Sequence, residues 1–228
     1  MTTFGLVHGA YHGAWCWEPL TAELEGRGHR VLAVDLPTED ASASATEYAA
    51  AAVEAFAEVD DDLVVVGHSL AGLTIPLVAT ARPVSRLVFV CAMLPRVGRA
   101  QDDVISSEPD MFLMGPEGGV YESADGAVHW YPEAAARSFF ADCKPDVAKW
   151  AAGLMRGQFW NITQEISPLL EWPEVPYSYV LGMSDPIINP AWSRRVVPSI
   201  LGVEPIELAA GHSPFLSAPA ALADALEG

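Results

Sequence analysis

The apolar positions of this chain fall in short, nearly unbroken runs separated by segments with a different rhythm. The runs "TFGLVHG" (3–9), "HRVLAVDLP" (29–37), "DLVVVGHS" (62–69), "SRLVFVCA" (85–92), "VPYSYVLG" (175–182) and "VEPIELAAG" (203–211) predict strands. Strict alternation would mark a sheet with one wet face; continuous hydrophobicity marks strands covered on both sides. Helical spacing between the runs predicts helices over Trp17–Gly26, Ala43–Val59, Leu70–Thr80, Ser193–Ile200 and Ala218–Leu226. Strand and helix taking turns implies crossover connections and a mostly parallel sheet of about six strands flanked by helices, an α/β fold.

One segment departs from this rhythm. From Pro95 to about Trp172 no strong strand is predicted, and Gly/Pro-rich pieces such as "MGPEGG" (114–119) mix with helical stretches dense in aromatics and Met. A structureless loop of that length does not belong inside a compact domain. The expectation is therefore one domain over 1–228, with a core of 1–94 and 173–228 and an inserted helical cap at about 95–172.

The third apolar run ends in "GHSLAG" (67–72), between a predicted strand and a predicted helix. That is the context of a nucleophile elbow, a turn so sharp that its serine takes strained backbone angles and stands clear of the sheet. Large side chains two positions either side of the serine would clash; Gly67 meets this demand, and Ala71 meets it approximately, with Gly72 next to it. Ser69 is thus the candidate nucleophile. A serine hydroxyl needs a base. Of His8, His12, His29, His68, His129 and His212, the last lies in "AAGHSPFLSAP", beyond the last strand, where crevices form in open α/β sheets. His68 points away from its neighbour Ser69 in such a turn, His29 sits at the far end of a strand, and His129 belongs to the cap. The acid is expected after the penultimate strand, where "VLGMSDPIINP" supplies Asp185 to hold the His212 tautomer. Asp35, Asp102 and Asp103 are poorer placed. For the developing oxyanion, the amides of Leu70 and of Ala10 in "VHGAYHGAW" (7–15) are the candidate donors.

The whole chain has 228 residues, of which 51% are hydrophobic, so it can bury a large core. Its apolar runs are of strand length, too short to span a membrane. No basic region followed by an apolar stretch opens the sequence, and Cys16, Cys91 and Cys143 are odd in number and form no CxxC. These features lead to the expectation of a cytoplasmic protein with free thiols. The net charge of −18 argues against nucleic acid as a partner. The densest acidic cluster is "VDDDL" (59–63), and the sequence leaves a homodimer open.

"LVHGAYHGAWCWEPL", "VVVGHSLAGL", "LGMSDPIINP" and "GHSPFLSAP" together resemble the α/β-hydrolase superfamily, and within it the branch of plant methyl-salicylate-type esterases and hydroxynitrile lyases. The resemblance spans nearly the whole chain and is weakest in the cap. It implies a triad of Ser69, Asp185 and His212, oxyanion donors at Ala10 and Leu70, and chemistry without metal or cofactor. The lyases carry a lysine after the catalytic histidine, where this chain has Ser213, and a threonine where it has Gly9; esterase-like members keep the glycine. Substrate contacts are expected from Gly9, Tyr11, Trp130 and Phe159. Met111, Phe112, Met114, Phe139 and Trp160 add to an apolar cap of which about a third walls the pocket and the rest packs as core. The expectation is a serine esterase for small hydrophobic, aryl-type carboxylic esters. A lyase-like or other carbon-bond-cleaving enzyme on the same triad is the alternative, as is a hydrolase-derived ligand receptor.

Overall fold

In the computed structural model, which describes residues 1–60, 62–113 and 118–228, every predicted strand is present and each is shorter than the apolar run that announced it. Met114 and most of "MGPEGG", like the middle aspartate of "VDDDL", lie outside the described residues. The first half of the chain contains β1 (Thr3–Val7), a 3₁₀ turn (Ala14–Trp17), α1 (Glu18–Gly26), β2 (Arg30–Val34) and α2 (Ala45–Ala55). It continues with β3 (Leu63–His68), a second 3₁₀ turn (Ser69–Leu73), α3 (Ile75–Ala81) and β4 (Arg86–Val90). The segment after β4 holds α4 (Gln101–Ser107), β5 (Val120–Glu122), β6 (Val128–Trp130), α5 (Pro132–Ser138), α6 (Pro145–Gly153) and α7 (Asn161–Gln164). The chain then returns to the sheet through β7 (Tyr177–Gly182), α8 (Pro190–Leu201), β8 (Ile206–Leu208), α9 (Pro214–Ser217) and α10 (Pro219–Glu227).

The six long-range strands form one sheet in the order β2-β1-β3-β4-β7-β8, and every pairing is parallel. Burial follows position in that order. All residues of β1 and β3 are buried, and β4 is buried beyond its first residue, because helices cover both faces of the central strands. The edge strands are less covered: β2 exposes Arg30 and Ala33, and β8 exposes Ile206 and Glu207. Parallel strands all point the same way, so the loops after β1, β3, β4, β7 and β8 gather at one edge of the sheet.

Two expectations need correcting. The segment between β4 and β7 is not wholly helical, since β5 and β6 pair as an antiparallel hairpin. Three-residue strands are too short to show a period, but the turn between them, with Asp125 next to Gly126 at a φ of 91°, is the strongest local hairpin signal. The helix predicted from Leu70 is broken: a 3₁₀ turn carries the chain from Ser69 to Leu73, and α3 begins only at Ile75. Pro76 suits the first turn of α3 but cannot continue a helix already running, because its ring would clash with the carbonyl four residues back. Among the described residues no helix is long and apolar enough to cross a membrane.

Candidate active site

The turn after β3 has the strain that its sequence demands. Ser69 has a φ of 53°, in the left-handed region that side chains with a Cβ rarely enter. The Met93 amide, in the segment leaving β4, donates to the Ser69 carbonyl at 3.0 Å and holds the turn from outside. This packing explains which glycine matters. A Cβ on Gly72 would be driven into the Met93 carbonyl oxygen, whereas Ala71 is buried without such a conflict. The tight position is therefore three residues after the serine rather than two, and the alanine is no defect in the motif.

The three residues expected to work together are in contact. Ser69 Oγ lies 3.1 Å from His212 Nε2, and His212 Nδ1 lies 2.8 Å from Asp185 Oδ2. All three are buried, and Ser69 alone of them lines the large cavity. Asp185 also makes the turn that its position before Pro186 suggests. Its Oδ1 accepts from the amides of Ile187 (2.8 Å) and Ile188 (3.0 Å), which leaves Oδ2 aimed at the imidazole. The bond to Oδ2 requires Nδ1–H, so Nε2 faces the serine as an acceptor.

The loop after β1 brings Ala10 to the same place. His8 Nδ1–H donates to the Gly9 carbonyl at 2.8 Å, while its Nε2 accepts from the Leu36 amide at 3.0 Å. In a trans peptide the N–H points opposite the C=O. Fixing the Gly9 carbonyl therefore turns the Ala10 amide the other way, and among the described residues that amide donates to no carbonyl. Gly9 leaves no room for a side chain with the loops as they stand: a Cβ there would be 2.8 Å from both Ser69 Cβ and His68 Nδ1. His12 Nδ1–H donates to the Ala10 carbonyl at 2.7 Å, and His68 Nε2–H donates to the His212 carbonyl at 2.9 Å. Burial lowers the pKa of His8 to about 4 and of His12 to about 3, and holds His68 well below its ordinary value, with His212 adding to the effect. These three neutral imidazoles brace the loops around Ser69, a role the sequence did not reveal. His129 stacks on Tyr121 in the hairpin and His29 pairs with Glu227 at the start of β2, so neither approaches the serine.

A cavity of about 500 Å³ opens over Ser69. Tyr11, Trp130, Phe139 and Trp160 form its aromatic side, with Tyr11 ring centroids 5.7–6.2 Å from the other three. Met93, Ile105, Phe112 and Ile187 supply aliphatic and further aromatic wall, and Asp102 is its one charged lining residue among those described. Phe159 does not line the cavity. Its amide donates to the Thr38 carbonyl at 2.9 Å, its ring faces Gly126, and the next residue, Trp160, takes the place expected of it. Leu70 has its side chain in the core and stands at the start of the 3₁₀ turn, where an amide has no helical partner. The donor set nearest to a metal site among the described residues is Cys91, Asp185 and His212, within 4.8 Å of one another. Two of these already share a proton, and burial pushes the Cys91 thiol well up, which keeps it protonated and a poor ligand.

Comparison with known proteins places the fold. The profile of the Alpha/beta hydrolase family matches residues 6–225. Esterase PIR7B of Oryza sativa subsp. japonica is 30% identical over 250 residues, covering 98% of this chain and 93% of that protein. The Alpha-hydroxynitrile lyase of Arabidopsis thaliana is 28% identical over 246 residues, covering 98% and 95%. The crystal structure of polyneuridine aldehyde esterase superposes with a TM-score of 0.82 at 22% identity, covering 100% of this chain and 98% of that one; at such identity the likeness speaks for the fold. A parallel sheet carrying a strained serine turn, matched by the family profile from β1 to α10, places the chain in the alpha/beta hydrolase family.

Proposed function

We propose that this protein is a serine esterase that cleaves small, hydrophobic carboxylic esters through an acyl-enzyme. The observation that carries the reading is the unbroken contact from Ser69 to His212 to Asp185, opening onto an apolar cavity. Ser69 Oγ attacks the ester carbonyl as His212 Nε2 takes its proton. The charge that develops on the carbonyl oxygen meets the Ala10 and Leu70 amides, which are fixed before the reaction begins. Asp185 stabilises the imidazolium. His212 then returns the proton to the leaving alcohol and draws a proton from the water that releases the acid. No Lys, Arg or His lines the cavity among the described residues, so nothing there pairs with a substrate carboxylate, and the aromatic side suits an uncharged aryl or acyl group. The name of Esterase PIR7B agrees with this chemistry. A cytoplasmic location belongs to the same reading, since Cys16, Cys91 and Cys143 are free thiols.

The lyase alternative is disfavoured at position 213. A cation beside the base would assist a departing cyanide, and Ser213, a fully buried serine, offers none. A panel of p-nitrophenyl and methyl aryl esters of varied acyl length, run beside mandelonitrile, decides between them. Wild type should hydrolyse esters and release negligible cyanide. A fluorophosphonate probe should label Ser69, and Ser69→Ala should lose labelling together with a rate factor on the order of 10⁴ or more. Cyanide release without ester turnover would reverse the reading.

A further inference from the structure

The loop between α5 and α6 touches the catalytic end of the sheet through three closely spaced side chains. Phe139 lines the cavity, and its ring centroid is 5.7 Å from that of His212. Phe140 is buried, 5.7 Å from His12. Asp142 reaches further: its Oδ2 accepts from the Gly211 amide at 2.6 Å. Gly211 immediately precedes His212. A Cβ at Gly211 would stand 2.6 Å from Asp142 Oδ1, so the carboxylate lies flat against the backbone that carries the imidazole.

The other restraints on this loop come from the sheet side. Ser184 N–H donates to the Ala210 carbonyl at 3.0 Å, and His68 Nε2–H to the His212 carbonyl at 2.9 Å. Asp142 supplies the opposing restraint, from the inserted segment: it holds the N–H end of the same Ala210–Gly211 peptide whose carbonyl Ser184 holds, directly ahead of His212. We propose that Asp142 is a positioning residue for His212: its carboxylate fixes the amide of Gly211, the residue immediately before His212, so that the reach of Nε2 to Ser69 is set by the segment that also walls the substrate cavity. The proposal rests on Ser69, His212 and Asp185 forming the working triad. It assigns Asp142 no contact with substrate. A displacement of the base by about 1 Å is enough to cost on the order of 10² in rate, so a single anchoring bond next to the base has catalytic weight.

The test measures the second-order rate of fluorophosphonate labelling at Ser69, which reads the Ser–His pair without any substrate, alongside kcat and KM on the best ester. Asp142→Ala should lower the labelling rate and kcat by about 10–100-fold, the usual cost of losing an orienting partner, with KM within about twofold. Asp142→Asn keeps an acceptor oxygen for the Gly211 amide and should regain most of the loss. Asp142→Glu, whose extra methylene displaces that oxygen, should behave like the alanine variant and stands in for it if the latter does not fold. Labelling within about twofold of wild type in Asp142→Ala or Asp142→Glu overturns the proposal, as does an Asn variant as slow as Ala. Wild type that is labelled but turns over no ester would sink the esterase reading while the labelling rates still judge Asp142. Wild type unlabelled at Ser69 would sink both.

Discussion

At Gly9 two backbones approach so closely that the absence of a side chain has chemical consequences. Its Cα faces Ser69 Cβ and the His68 ring, and its carbonyl is held by His8, so the orientation of the Ala10 amide depends on the chain passing this point unshifted. Gly9→Ala should fold, yet push the loop off the serine and misaim the donor. Loss of one oxyanion donor costs about 10²–10³ in kcat, and a fall of that order with KM little changed is expected. A variant that keeps kcat within a few-fold would show that the Ala10 amide does not face the oxyanion. The same clash bears on the lyases, which have threonine here and lysine at the position of Ser213. Both changes are resisted in this chain, one by Ser69 and His68 and the other by full burial at 213. Swapping those two residues alone will not convert the chemistry without shifting the loops that carry them.

Between elements, the elbow is held by the segment leaving β4 as well as by β3 itself. Tyr179 on β7 is buried; its hydroxyl donates to the Ala92 carbonyl at 2.7 Å and accepts from the Ala92 amide at 3.0 Å, and the next amide, Met93, holds the Ser69 carbonyl. Tyr179→Phe leaves both Ala92 groups unpaired in a dry site and should cost about 1–3 kcal/mol, measured by urea unfolding at pH 7. A cost below about 0.5 kcal/mol would mean that the segment finds other partners. Little of this bracing was legible in the sequence. Apolar runs revealed the six strands because burial on both faces is written residue by residue, and the strand–turn context exposed Ser69, Asp185 and His212 because that motif constrains local geometry. Gly72, Tyr179 and Asp142 left no such signal, since each acts on a segment far away in the chain. Phe159 was singled out as a substrate contact while its neighbour Trp160 was left among the general cap aromatics, for a related reason: a period cannot say which of two adjacent aromatics turns inward where the chain is irregular.

Across the whole molecule, the buried imidazoles bear on pH in a direction that the acidic surface alone would not suggest. His8, His12 and His68 have no exposed surface, and burial keeps all three neutral, His8 with a pKa of about 4 and His12 of about 3. In the unfolded chain each takes up a proton near pH 6.5. Between that pH and about 4 the unfolded state binds more protons than the folded one, so stability rises with pH and is lost as pH falls. The contribution is complete above about 6.5; at pH 5 His8 and His12 have each withdrawn about 2 kcal/mol. The net charge of −18 works the other way, because protonating carboxylates relieves their mutual repulsion and favours the compact state. Ordinary carboxylates titrate near pH 4, below most of the histidine window, so the histidines dominate from pH 6.5 to 5. The thermal midpoint should therefore fall over that interval, and calorimetry in buffers of different ionisation enthalpy should find unfolding at pH 5 taking up about three protons from these side chains. A midpoint unchanged between pH 7 and pH 5, with no proton uptake, would mean that the three imidazoles are already charged or open to water, and the neutral brace around Ser69 would have to be abandoned.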